Sequence, residues 1–290
     1  MRYFFSLLTS LFLILPISSG ELSSALDQNL NGVMTKVTDW RHHFHQYPEL
    51  SNREFKTQKS ISEALIEMGL EPNTSYGKTG VTAFIRGQNP GPLIALRADI
   101  DGLPVTEKLN LPFSSKERTN YQGNDVGIMH ACGHDAHIAT LLGVASFLSQ
   151  NTDKLDGDIL LIFQPAEEGA PEGEEGGAEL MLKEGLFEAE KPDAIFGMHV
   201  SNAEHGQLWT RPGPMMASAE AFRITVEGKQ THGSRPWNGV DPIVAASDIV
   251  TTLQTIVSRR LNLLDSQAVV TVGIMKGGTR NNIIPSSAYL

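Results

Sequence analysis

Residues 129–137 read Met-His-Ala-Cys-Gly-His-Asp-Ala-His and carry the chain's one cysteine, Cys132, with three of its nine histidines. Cys132 and His134 flank Gly133, a residue that lets the backbone bend sharply. A thiolate and an imidazole so close suit one transition metal, such as zinc, manganese or an iron-group ion. The stretch 138–148 that follows is apolar and helical in character. The pair therefore sits on a loop at a helix N-terminus, where partial positive charge favours a thiolate. A single Cys-x-His is also a frequent accident, a buried thiol beside loop histidines, so the rest of the chain must decide.

Open parallel sheets gather ligands at the carboxyl ends of their strands. Three apolar stretches here end in side chains fit for metal chemistry. Residues 93–98 run into Asp99 and Asp101, residues 158–163 into Gln164-Pro165-Ala166-Glu167-Glu168, and residues 193–198 into His199. Each feature alone is ordinary, since adjacent acids in a loop are usually just solvated. With the Cys132/His134 loop, four such features meet at one sheet edge, which is the convergence expected of a site. Adjacent carboxylates can divide labour, one binding a cation and the other taking a proton from water. A cation lowers the pKa of its water from near 16 to about 7, and two ions roughly 3.5–4 Å apart clamp both a hydroxide and a carbonyl oxygen. A bridging Cys132 would complete a device for amide hydrolysis.

The elements that must position these groups are legible from hydrophobic period and breakers. Residues 22–46 form an amphipathic helix stopped by Pro48, and His42, His43 and His45 at its end read as a polar, solvated helix terminus. A second helix spans 54–68 with Gly69 as its cap. Strands at 81–86 and 93–98 are separated by a turn over 87–92. A helix at 135–150, a strand at 158–163, a helix at 174–184 and a strand at 193–198 follow. Apolar strands spaced by helices make this an α/β fold, a largely parallel sheet with helices on both faces. A linker at Arg211-Pro212-Gly213-Pro214 leads to a strand at 220–227, a helix at 241–259 with Pro242 at its first position, and a strand at 268–275. Those last elements suggest a small α+β domain of split-βαβ type. The expected domains are 21–212 and 213–290.

Net charge is −10, from 33 acidic against 23 basic residues, with no Lys/Arg run, which argues against nucleic-acid binding. Arg2, the apolar stretch 4–14, Pro16 and Ser18-Ser19-Gly20 compose a signal peptide over residues 1–20, with cleavage before Glu21. An uncleaved anchor is the alternative. No later stretch is long enough to span a bilayer, so the expectation is an exported soluble protein, periplasmic or secreted, free of the membrane after cleavage. A lone cysteine in an oxidising compartment is a liability unless it has a function.

Six runs together resemble the hippurate hydrolase and indoleacetyl-amino-acid hydrolase branch of the aminoacylase/carboxypeptidase metallohydrolases. They are Arg97-Ala-Asp-Ile-Asp-Gly-Leu-Pro104, the 129–137 run, Gln164-Pro-Ala-Glu-Glu-Gly169, Gly197-Met-His-Val200, His232 within Thr-His-Gly-Ser, and Gly277-Gly-Thr-Arg-Asn-Asn-Ile-Ile-Pro285. The resemblance implies a metallo-exopeptidase-like catalytic domain and a lid and dimerisation domain. It implies two divalent ions per subunit, manganese or zinc, with cobalt or nickel as alternatives. Cys132 would bridge them, with His134, Glu168 and His199 as further ligands. Glu167 would be general base and then general acid. Asp101 would orient a ligand, and Asp99 would stand where the wider family has a histidine, with His134 supplying the nitrogen. His232 would stabilise the oxyanion, often in the partner subunit, and Asn282 would hold the substrate carboxylate. The implied substrate is a small N-acyl amino acid and the implied assembly a homodimer.

In that family the chain returns from the lid to add strands, helices and one more metal-ligating histidine. This sequence ends at Leu290 before such a segment, so the resemblance implies a C-terminally truncated chain of weak or absent activity. Two other readings stand beside it: a carboxypeptidase or dipeptidase of the same broad family, and a non-catalytic binder of metal or acylated amino acids. The Cys-Gly-His-Asp run, in place of the usual bridging aspartate, argues against the first. A free base at Glu167 argues against the second.

Overall fold

The computed structural model describes residues 19–216, 218–265 and 267–290. The expected signal peptide lies outside the described residues, apart from Ser19 and Gly20, which open the first helix. The chain divides into two compact units, meeting between Asn202 and Ala203.

The first unit contains α1 (Ser19–Gln46), α2 (Phe55–Glu67), β1 (Val81–Arg86), β2 (Asn89–Asp99), β3 (Arg118–Tyr121), β4 (Asn124–Gly127), α3 (His134–Leu148), β5 (Asp156–Gln164), α4 (Gly177–Lys183) and β6 (Ala194–Gly197). Strands β1, β5, β2 and β6 form one sheet in that spatial order. β5, β2 and β6 run parallel, and β1 is antiparallel to β5. β3 and β4 make a separate hairpin. The expected mixed α/β class, with a mostly parallel sheet, is the one observed.

Two cores explain why the strands are apolar at consecutive positions. Along β5, Ile159, Leu161 and Phe163 join a core with α2 and α3, while Leu160 and Ile162 turn to the other face against Met181 of α4. Side chains alternate across a strand, so a strand covered on both faces must be apolar throughout. α3 is apolar nearly all round because α1, α2 and the sheet enclose it.

Three expectations are corrected. The turn over 87–92 shrinks to Gly87-Gln88, because β2 begins at Asn89. Its pairing with β5 is irregular between Asn89 and Leu93, where Pro90 and Pro92 lack the N–H donors a regular ladder needs. The strand expected at 268–275 does not form, since no strand among the described residues pairs with it, and Val269 is left exposed. Apolar alternation gives propensity, but a strand also needs a ladder partner. The domain break falls at 202/203 rather than 212, because the chain leaves the first unit soon after β6 and the Pro-Gly linker lies inside the irregular stretch that follows.

In the second unit, β7 (Thr225–Glu227), the remnant of the strand expected at 220–227, pairs with β11 (Ser287–Tyr289). β11 also pairs with β9 (Lys276–Gly277). β8 (Thr231–His232) pairs with β10 (Ile283–Ile284). α5 (Pro242–Thr255) begins as expected, with Pro242 in its first turn and Asp241 accepting from the backbone N–H groups of Ile243 and Val244. It ends in a π-turn over Ile256–Arg260. No described helix is long and apolar enough to cross a membrane.

Close packing of α1 on α3 rests on Gly143. A Cβ there would stand 2.4 Å from Val37 Cγ2, and a valine side chain is stiff at χ1. Alanine favours a helix by about 1 kcal/mol over glycine, so the contact decides the sign. Gly143→Ala is expected to lower stability by ~1–3 kcal/mol, and adding Val37→Ala should recover part of it. Urea unfolding checks this, and an unchanged midpoint for Gly143→Ala contradicts it.

Candidate metal centre

The parallel strands deliver the site residues to one edge. β2 ends in Asp99 with Asp101 just beyond, β5 ends in Gln164 before Glu167 and Glu168, and β6 is followed by His199. The fourth contribution is the start of α3. Gly133, its N-cap, has φ +87, and a Cβ there would lie 2.3 Å from Val200 Cγ2. Handedness and contact together reserve that position for glycine.

His134 is the hub. Its side chain is fully buried, and Nδ1 donates to the Asp101 carbonyl oxygen at 2.8 Å, with Asp101 Oδ1 at 3.2 Å. In the neutral ring the lone pair therefore lies on Nε2, which is buried and has no hydrogen-bond partner. Burial opposes a second proton, but the hydrogen bond to Asp101 and the Asp99, Asp101 and Glu168 charges outweigh it and raise the His134 pKa. Around Nε2 stand Asp99 Oδ1 at 3.7 Å, Glu167 Oε2 at 3.8 Å and Glu168 Oε1 at 3.8 Å. Cys132 Sγ lies 3.4 Å from His199 Nε2. His199 Nδ1 donates to the Val200 carbonyl at 2.6 Å, so its Nε2 also presents a lone pair. Three sets of donor atoms arise, each within 4.8 Å mutual reach: Cys132–His134–His199, Asp99–His134–His137 and His134–Glu167–Glu168.

These residues fit a divalent cation. An orphaned imidazole nitrogen in a dry pocket costs on the order of 1–3 kcal/mol, and every neighbour that faces it is an acceptor. Sulfur, nitrogen and carboxylate oxygen together are the donors of zinc and related ions.

The electrostatics mark the same excess of negative charge. Burial, reinforced by the Asp99 charge, raises the Glu167 pKa. The Cys132 thiol is pushed up to about 12, first by burial and then by the neighbouring Glu168, Glu167 and Asp99 carboxylates. That corrects the expectation that the helix terminus by itself favours a thiolate: burial, together with the carboxylates, outweighs the dipole. Asp99 goes the other way. Burial raises it, but the hydrogen bond from His137 and the charges of His134 and Arg97 prevail and hold it down at about 2.

Asp99 is also less available than sequence suggests. His137 Nδ1 donates to its Oδ1, and Arg97 Nη1 donates to Oδ2 at 2.8 Å. His137 is itself spent, because its Nε2 accepts from the Val200 N–H at 2.9 Å. It thus joins three site loops, a role sequence reasoning missed. The signal was its spacing, one helical turn beyond His134 on the same face.

A second missed residue is His45. Rather than a solvated helix end, it is buried, with Nδ1 2.9 Å from Asp135 Oδ2 and Nε2 3.3 Å from Glu107 Oε1. The hydrogen bond with Asp135 raises its pKa against the opposing effect of burial. Glu107 in turn accepts from the Ser115 N–H at 2.6 Å, tying the 107–115 loop to α1 and α3. That loop walls a cavity of about 610 Å³ beside Cys132 and His199, lined also by Leu109, Leu111 and Phe113.

In the second unit, His232 pairs with Ile283 across the β8–β10 ladder, and the Asn282 carbonyl accepts from Gly233 N–H at 2.8 Å. His232 and Asn282 are therefore neighbours, both exposed. His232 Nδ1 accepts from the Ser234 N–H at 3.1 Å, which leaves its proton on Nε2 as an outward donor.

All three donor sets contain His134, so His134→Ala is expected to abolish bound divalent metal, whereas Leu109→Ala should leave it in place. Mass spectrometry of dialysed protein checks this; full metal content in His134→Ala contradicts it.

Comparison with known proteins agrees with this geometry. The model of peptidase family M20/M25/M40 matches residues 95–282. The chain is 44% identical over 263 residues to N-acetyl-L-cysteine deacetylase of Bacillus subtilis, covering 90% of this chain and 59% of that protein. It is 41% identical over 266 residues to hippurate hydrolase of Campylobacter jejuni, covering 90% of this chain and 64% of the other. The chain thus spans about three fifths of the length of these relatives. Among solved structures, a dinuclear metal-binding peptidase of the M20 family from Bacillus subtilis aligns with TM-score 0.62 and 38% identity, over 89% of this chain and 63% of that one. With most of its length, and all the residues around His134, inside the matched segment, the chain belongs to peptidase family M20/M25/M40.

Proposed function

We propose that the protein is a metal-dependent amidohydrolase that cleaves the amide bond of N-acyl or aroyl amino acids. The observation that carries this reading is Glu167. It stands 3.8 Å from the His134 lone pair, its side chain is about a third exposed, and its pKa is raised by burial and by Asp99. An accessible carboxylate beside a cation site, tuned toward neutrality, is what a general base requires.

His134, Glu168 and His199, with Cys132 shared between them, would hold the divalent ions, which would supply Lewis-acid activation of water and of the amide carbonyl. Glu167 takes the proton from water as its oxygen adds to the carbonyl carbon. It then returns that proton to the amide nitrogen as the C–N bond breaks, releasing a carboxylate and a free amino acid. Asp101, hydrogen-bonded to His134 Nδ1, fixes the tautomer that this requires. In the same reading, His232 donates from Nε2 to the developing oxyanion and Asn282 holds the substrate carboxylate.

The substrate class is supported by relatives named for N-acetylcysteine and hippurate, both N-acyl amino acids. A cavity beside Cys132 and His199, lined by Leu109, Leu111 and Phe113 as well as by Arg41, His45 and Glu107, offers room for the acyl group. The proposal includes two divalent ions, manganese or zinc with cobalt or nickel as alternatives. It also includes a homodimer through the second unit acting as lid, and export directed by residues 1–20.

Glu167→Gln should lower kcat on N-benzoylglycine by about 10²–10⁴-fold while bound metal is retained. Steady-state hydrolysis with a parallel metal count checks this. Unchanged turnover removes Glu167 from the mechanism.

A further inference from the structure

The turn between α1 and α2 contributes no metal donor, yet it grips both acidic loops of the centre. The Glu49 carbonyl accepts from Gly102 N–H at 2.7 Å, and Ser51 Oγ donates to Asp101 Oδ2 at 2.7 Å. Asn52 Nδ2 donates to the Glu175 carbonyl at 3.0 Å. Glu54 is fully buried: its Oε1 accepts from Ala166 N–H at 2.9 Å and its Oε2 from Thr79 Oγ1 at 2.7 Å.

Ala166 is the residue before Glu167, and its φ is +49. A residue with a Cβ adopts that conformation only when its surroundings enforce it, at a cost on the order of 1–3 kcal/mol. Pro165 has no N–H, so the Ala166 amide is the first donor after β5 through which the loop can be held. On the far side of Glu167, the Glu168 N–H donates to Asp101 Oδ2 at 3.0 Å. Glu167 is thus suspended between two backbone anchors, each ending on a buried carboxylate from another segment. Glu54 makes none of the described ion pairs, and burial raises its pKa. An apolar residue would fill that space at lower cost.

We propose that Glu54 is a positioning residue for Glu167, holding Ala166 in the left-handed conformation that aims the Glu167 carboxylate at the His134 centre. This rests on the reading of Glu167 as general base. A misplacement of about 1 Å at a reacting group can cost 10²-fold in rate, so the grip of Glu54 belongs to the chemistry as well as the fold.

The test uses the full chain loaded with zinc, with wild type, Glu54→Ala and Glu54→Gln compared by hydrogen exchange over residues 164–169, metal content and hydrolysis of N-benzoylglycine. Glu54→Ala should exchange faster in 164–169 than wild type, keep its metal, and lose about 10–100-fold in kcat with KM within about twofold. Glu54→Gln keeps an acceptor for the Ala166 N–H and should restore slow exchange and turnover. If Glu54→Ala does not fold, Glu54→Asp, which withdraws the carboxylate by one methylene, takes its place with the same expectations. Unchanged exchange in 164–169, or wild-type kcat in the folded variant, overturns the proposal. Should wild type hydrolyse nothing, exchange over 164–169 and metal content decide by themselves whether Glu54 holds the loop.

Discussion

The centre depends on one hydrogen bond, from His134 Nδ1 to the Asp101 carbonyl. It fixes the tautomer of a fully buried ring and leaves the Nε2 lone pair facing Asp99, Glu167 and Glu168. Carboxylates and a thiol crowded about a lone pair, each partly buried, raise one another's pKa. The upward shifts of Glu167 and Cys132 come first from burial and then from that crowding. Asp99 escapes it because His137 and Arg97 neutralise it locally. Asp99 and Asp101 are therefore closed off by protein donors, while Glu167 and Glu168 are left open toward the His134 centre.

The fold exists around this arrangement in a simple way. Parallel strands β2, β5 and β6 end at the same edge, so their following loops must meet. α3 supplies His134 from its first turn and is anchored by a largely apolar body between α1, α2 and the sheet. Rigid packing at Gly143 and the obligatory glycine at 133 fix the helix along its axis and at its end. The acidic loops, packed at Ile100 and Ala166, are also tied by hydrogen bonds to the turn at residues 49–54 and to each other.

Much of this was legible in the sequence. Strands that are apolar at every position announced a covered parallel sheet, and the polar residues just past their ends announced the edge where a site forms. What was not legible was who touches whom. His42, His43 and His45 are indistinguishable as letters on one helix end, yet His45 alone is buried against Asp135 and Glu107. Glu54 reads as a helix-start acid because its partner, the Ala166 amide, is more than a hundred residues away. The thiolate at the helix terminus was inferred from a local dipole, whereas its environment is set by burial and by carboxylates from distant loops. The failed strand at 268–275 has the same cause, since pattern fixes propensity and only tertiary structure supplies a ladder partner.

The central claim is that a cation sits within reach of both Cys132 and His134. Cys132 is the only thiol in the chain, so any thiolate-to-metal charge-transfer band on adding cobalt(II) to metal-free protein reports on this residue alone. The account predicts a band that saturates with cobalt at neutral pH and vanishes in His134→Ala. No band in the wild-type chain, or an equal one in His134→Ala, would contradict it.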